Sequence, residues 1–188
     1  MSEDNPPLAR RTLLQAALAA GALTAPAGAH AQTASSGKKA AGKPGDFDFL
    51  TGEWKIRNRR TKKDGGVDEF DGEASVYGIL SGVASIEELR IPARGFSGMG
   101  LRILDIGKGL WSDFWVNAKS GVLAMPGATG VFIDGVGEFA GDDASEPVRA
   151  KGVWDLITPI SCRWRQLLSH DGGATWTEDW DMRWTRVR

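Results

Sequence analysis

From Asp46 onward, apolar residues come in short runs broken by turn signals. These are Lys63-Asp64-Gly65-Gly66, Ser81-Gly82, Gly107-Lys108-Gly109, Lys119-Ser120-Gly121, Asp134-Gly135, Gly141-Asp142-Asp143 and Asp171-Gly172-Gly173. No stretch keeps a helical period long enough for a helix, apart from a single turn over Phe47-Asp48-Phe49-Leu50. The pattern predicts strands at about 53–61, 67–78, 83–91, 98–105, 110–117, 122–125, 130–133, 136–140, 148–157, 161–169 and 176–186. With two short middle segments counted as one bent strand, roughly ten hairpin-linked strands remain. That is the content of an all-β, antiparallel up-and-down barrel. Gly78, Gly95, Gly98, Gly100, Gly135 and Gly137 are expected at bends and bulges.

The last strand has the clearest alternation. Trp176, Glu178, Trp180, Met182 and Trp184 share one face; Thr177, Asp179, Asp181 and Arg183 share the other. A period of two puts the tryptophan row inside and the charged row in water. The strand before it alternates Cys162, Trp164, Gln166 and Leu168 against Arg163, Arg165 and Leu167. A hairpin sets the two tryptophan rows side by side, with Gln166 and Glu178 as polar intruders. In 110–117 either face could point inward. Trp111, Asp113, Trp115 and Asn117 would give a cavity aromatic walls and two polar anchors; Phe114 and Val116 would remove half of that wall. The first arrangement is the one expected.

The N-terminal quarter has a different character. Arg10-Arg11 precedes a weakly apolar Ala/Leu/Gly run, and Ala29-His30-Ala31 supplies a small-x-small cleavage pattern, so residues 1–31 read as an export signal. The arginine pair resembles a twin-arginine signal, with Ala9, Leu13 and Gln15 departing from the usual residues. The expected location is periplasmic or secreted. Residues 32–45 hold no large apolar side chain and read as a solvated linker, with one domain over 46–188. The apolar run is too short to span a bilayer stably, and no other membrane span is expected.

Composition narrows the chemistry. With 23 Lys+Arg against 24 Asp+Glu, the chain lacks the basic excess of a nucleic-acid binder. Its single cysteine, Cys162, cannot form an internal disulfide and is expected to be buried and inert. Of the two histidines, His30 falls in the signal, which excludes a His-rich metal centre. His170 lies in a turn, a poor place for a nucleophile's partner or a haem ligand. Asp134, Asp142, Asp143 and Glu146 lack calcium-loop spacing and read as solvated acids. Gly95-Phe96-Ser97-Gly98-Met99-Gly100 opens no helix and so is no phosphate loop. No metal or cofactor is expected.

Three separated stretches carry a resemblance. They are Asp46-Phe47-Asp48-Phe49-Leu50-Thr51-Gly52-Glu53-Trp54 with Arg57 and Arg59-Arg60, then Gly100-Leu101-Arg102-Ile103-Leu104-Asp105, then Ser169-His170-Asp171-Gly172-Gly173-Ala174-Thr175-Trp176 with Trp180. Together they resemble the bacterial domain-of-unknown-function family 1579 over the whole of 46–188, a family that implies no reaction. Gly52-x-Trp54 on the first strand also resembles the Gly-x-Trp signature of calycins, the lipocalin-like barrels. That resemblance implies a tryptophan closing the barrel floor beneath a basic residue of the last strand, here Arg186 or Arg183. The Ser169–Trp176 stretch is also similar to the Asp-box hairpin of sialidase propellers. It occurs once, in a chain too short for such a propeller, and reads as a hairpin in which Asp171 bonds its own turn.

Three functions fit these residues. The first is a monomeric or dimeric carrier of a small apolar or aromatic molecule, with Trp115, Trp164 and Trp180 as walls and Arg102, Asp113, Asn117, Gln166 and Glu178 as polar contacts. The second is a cofactor-free isomerase, lyase or hydratase. There a buried Glu178 or Asp113 would move protons near neutral pH, and Arg102 would stabilise developing negative charge. A buried Glu178 could equally do no more than pair with a buried arginine such as Arg102. The third is a side-chain-filled barrel of the envelope that meets partners through loops such as 92–97 and 141–147.

Overall fold

Among the described residues ten antiparallel strands form, and each pairs with its neighbours in sequence. They are β1 (Gly52–Thr61), β2 (Val67–Ile79), β3 (Ala84–Ile91), β4 (Phe96–Asp105), β5 (Leu110–Asn117), β6 (Ala128–Ile133), β7 (Val136–Ala140), β8 (Arg149–Asp155), β9 (Ser161–Ser169) and β10 (Thr177–Arg186). β1 also pairs with β10, so the meander closes into an up-and-down barrel with no free edge. The computed structural model describes residues 40–141 and 147–187. Residues 1–31, read as an export signal, most of the segment 32–45 read as a linker, and Asp142, Asp143 and Glu146 lie outside the described residues. Among the described residues, no helix is long and apolar enough to cross a membrane.

The segment 122–125, expected as a strand, contributes a single bridge, Leu123 opposite Val116. Pro126 follows it, and a residue without an N–H cannot carry the ladder on. The chain lies against the barrel before Asp46. Gly42 N donates to Gly109 O at 2.7 Å, and Gly45 N donates to Gly82 O at 2.9 Å.

One end of the barrel is sealed by the chain that precedes β1. The 3₁₀ turn Asp48–Leu50 brings Leu50 O within 2.7 Å of Trp54 Nε1. Phe47 packs edge-on to Trp111 and Phe132, with ring centres 4.9 and 5.1 Å away. Of the two basic candidates for the floor it is Arg186 that lies over Trp54, at 4.2 Å from the ring centre. Its guanidinium also donates to the carbonyls of Thr51, Phe49 and Pro159, tying β10 to the entry turn. Arg183 faces outward and pairs with Asp181.

The interior is filled by large rings laid on glycines. A methyl group added at Gly98 would sit 2.3 Å from the Trp115 ring; at Gly137, 2.6 Å from Phe132; at Gly152, 2.9 Å from Trp164. Gly98 and Gly137 were expected at bends and bulges, but their role here is to leave space for a ring. Small and large residues alternate across neighbouring strands, which is how a narrow barrel fills its taper.

Cys162 is buried on the inner row of β9, opposite Trp184. Burial pushes its thiol up to about 12. Native protein at pH 8 should therefore resist iodoacetamide, while protein unfolded in urea reacts at the rate of a free thiol. Equal rates in the two states would mean that the barrel opens readily.

Candidate functional site

Strand register places β5 before any side chain is considered. Arg102 of β4 pairs with Asp113, Gly100 with Trp115, Gly98 with Asn117, and Leu104 with Trp111. Arg102 and Leu104 are buried, so Trp111, Asp113, Trp115 and Asn117 form the inward row. Phe114 and Val116 lie on the outer face, opposite Leu101 and Met99.

Inside lies a cavity of about 30 Å³. Phe96, Trp115, Trp164 and Trp180 wall it toward the end opposite the entry turn. Trp154 and Trp184 wall it toward the sealed end, and Leu89 and Met182 complete the apolar surface. Trp115 stacks on Phe96 at 6.4 Å, and Trp164 meets Trp180 edge-on at 5.8 Å. The charged part of the wall is an ion pair between Arg102 and Glu87, both about 4% exposed. Asp113 Oδ1 lies 3.7 Å from Arg102 Nε on the other side, with 16% of its side chain exposed. Burial alone would favour the neutral form of Arg102. The charges of Glu87 and Asp113 outweigh it and hold the guanidinium firmly protonated. The same guanidinium lies 5.2 Å from the Phe47 ring centre and 5.3 Å from that of Trp154.

The residues singled out in the sequence thus part company. Arg102, Trp115, Trp164 and Trp180 line the cavity, and Asp113 joins it through Arg102. Gln166 is buried on the inner row opposite Trp180 but does not line it. Asn117 stands at the rim, where its side chain accepts the Lys119 N–H at 2.8 Å and so serves the turn.

Glu178 is not on the inner face. Glu178 pairs with Leu167 and Trp180 with Gln166, so Asp179 is the extra residue of a bulge. The bulge reverses the alternation. Glu178 points outward with 36% of its side chain exposed, 3.6 Å from Arg165. Trp176 is likewise not on the inner row. It lies in the hairpin before β10 and donates to Gly173 O at 3.1 Å. Asp181, expected in water, is buried on the outer face among Arg163, Arg165 and Arg183. That hairpin is otherwise built as read. Asp171 accepts from Ser169, from the Thr175 N–H and from the Thr175 hydroxyl, and these bonds, the Thr175 hydroxyl first, hold its carboxyl well below the usual range.

The buried carboxylate that sequence reading missed is Glu87. Its signal was present: Leu89 and Ile91 follow at even spacing and are buried, so Glu87 must face in while Glu88 faces out. Trp184 was assigned to the inner row but not to the site, and Trp154 was not singled out.

No family model matches the chain, and no curated protein matches it. The resemblance to family 1579 therefore rests on its quoted motifs alone. Among solved structures, the chain is similar to the Rv2717c protein of M. tuberculosis at 13% identity and a TM-score of 0.48, covering 76% of this chain and 98% of that one. It is similar to the S-type phycobiliprotein lyase CPES of Guillardia theta at 8% identity and a TM-score of 0.49, covering 76% and 90%. A third is a protein of unknown function in the DUF3598 family from Nostoc punctiforme, at 13% identity and a TM-score of 0.44, covering 81% of this chain and 53% of that one. These are likenesses of barrel form, and the site described above rests on this chain's own residues.

Proposed function

We propose that this protein is an exported carrier that takes a small apolar or aromatic molecule into its barrel. The observation that carries the reading is the make-up of the cavity wall: six aromatic rings and two aliphatic side chains around one buried ion pair. A mostly apolar enclosure with a few placed polar groups is the general form of a small-molecule site. Export is supported by Arg10-Arg11 and Ala29-His30-Ala31.

Volume sets a condition. About 30 Å³ holds roughly two water molecules. A molecule with one aromatic ring fits only if a wall moves. Trp115 is half-buried and rests against Gly98 beside the rim, so it is the wall with somewhere to go.

The test is native mass spectrometry of the protein purified from its own host, followed by organic extraction. A stoichiometric small-molecule adduct is expected, with Trp115→Ala shortening its lifetime on the protein. A bare mass that no aromatic or fatty compound shifts would overturn the reading and favour a filled barrel acting through its loops, which the small volume also suits. A second reading, a cofactor-free isomerase, lyase or hydratase, is favoured by Asp113, a carboxylate beside the buried Arg102 that still touches solvent. It predicts that the extracted compound is turned over, and that Asp113→Asn stops turnover without releasing it.

A further inference from the structure

Several hydrogen-bond donors on residues that line the cavity have no acceptor. Arg102 Nε and Nη1, Trp154 Nε1 and Trp184 Nε1 are all buried without a hydrogen-bond partner. Their residues are 4%, 1% and 2% exposed, and all three line the cavity. Arg102 Nε has Asp113 at 3.7 Å, a charge contact too long for a hydrogen bond. Other buried indoles do not share this state. Trp54 donates to Leu50 O, Trp111 to Asp46 and Trp180 to Asn58. Unpaired donors are costly in a low-dielectric interior, so their gathering at one cavity calls for an acceptor there.

Charge decides what kind of acceptor. Arg102 already faces two carboxylates, Glu87 and Asp113, which together exceed its single positive charge. A ligand carboxylate would be a third, stripped of water between aromatic walls. A carbonyl oxygen brings two lone pairs and no charge. It can take two of the N–H groups, and a bridging water can serve the others. The Ser85 hydroxyl, opposite Arg102 across β3 and β4, is also buried without a partner and can rotate to donate to that water.

We propose that the ligand is a neutral carbonyl compound, a ketone or aldehyde on an apolar or aromatic body. Its oxygen takes two of the free N–H groups of Arg102, Trp154 and Trp184. This rests on the reading of the cavity as a ligand site.

Three probes of one size separate the alternatives: ethylbenzene, acetophenone and benzoate, which differ in a methylene, a carbonyl and a carboxylate. In calorimetric titration of the whole protein, acetophenone should bind about tenfold tighter than either of the others, the worth of a hydrogen bond to a buried donor. In an amide and indole NMR spectrum, it should move the indole N–H peaks of Trp154 and Trp184, assigned as those lost in Trp154→Phe and Trp184→Phe. Trp184→Phe removes the N–H but keeps an aromatic side chain, and should weaken acetophenone roughly fivefold more than it weakens ethylbenzene. Equal affinity for ethylbenzene and acetophenone, or acetophenone binding that leaves both indole peaks in place, would overturn the proposal and leave the apolar carrier standing. Benzoate binding as tightly as acetophenone would overturn the charge argument and the proposal with it. If none of the three binds up to its solubility, the proposal falls; binding of a fatty compound in the same titration would leave the apolar carrier standing, and its absence would end that reading too.

Discussion

Arg102→Met should cost the fold about 3–5 kcal/mol in urea unfolding, and adding Glu87→Leu should return most of that loss. Arg102 is the cation in contact with both Glu87 and Asp113, and Glu87 sits against apolar wall with almost no access to water. Removing the guanidinium strands a buried carboxylate, and the desolvation that the ion pair had offset is then felt in full. The pair itself contributes little net stability, since the attraction inside the barrel mostly repays the cost of bringing two charges there. The double variant discards both sides of that balance and keeps the volume filled. A double variant no more stable than the single one would mean that Arg102 acts through packing against Phe47 and Trp154 rather than through charge.

What was legible in the sequence depended on whether the deciding contact was local. The strands were legible because turn residues recur between short apolar runs, and the tryptophan that lies under Arg186 was legible in Gly52-x-Trp54. Position within β5 was not, since both faces carry apolar residues; the register against β4 settles it, through pairs such as Arg102 with Asp113. Glu178 and Trp176 were misread for another reason. Alternation along 176–184 is faultless in sequence, but Asp179 is a bulge residue, held by Arg60 of β1 at 3.5 Å. One inserted residue reverses every face before it, and nothing in the local composition marks it. The unpaired donors of Arg102, Trp154 and Trp184 had no signature at all, because an orphan is defined by what three distant strands fail to supply.

Gly130→Ala should be the most damaging of the glycine-to-alanine changes, at about 3 kcal/mol or more. An added methyl group would stand 1.8 Å from Glu138 O and 2.9 Å from the Phe139 ring. The nearest obstacle is backbone, so no rotamer change relieves it, and β6 must move off β7. Gly130 is also registered with Trp111 of β5, and the β5–β6 ladder holds only three pairs, Trp111 with Gly130, Ser112 with Thr129 and Asp113 with Ala128. A push at this residue therefore strains β6–β7 and loads the shortest seam of the barrel at once. Gly107→Ala is the matching control, since the nearest atom to its added methyl is Asp105 Oδ1 at 3.5 Å, an ordinary contact. Urea midpoints should separate the two variants clearly, and hydrogen exchange should show the β5 and β6 amides losing protection first in Gly130→Ala. If both variants unfold at one urea concentration, the β6–β7 contact yields more easily than its spacing implies. The seam would then be a place where the barrel can open, and a ligand's route to Arg102 would run through β6 rather than past Trp115.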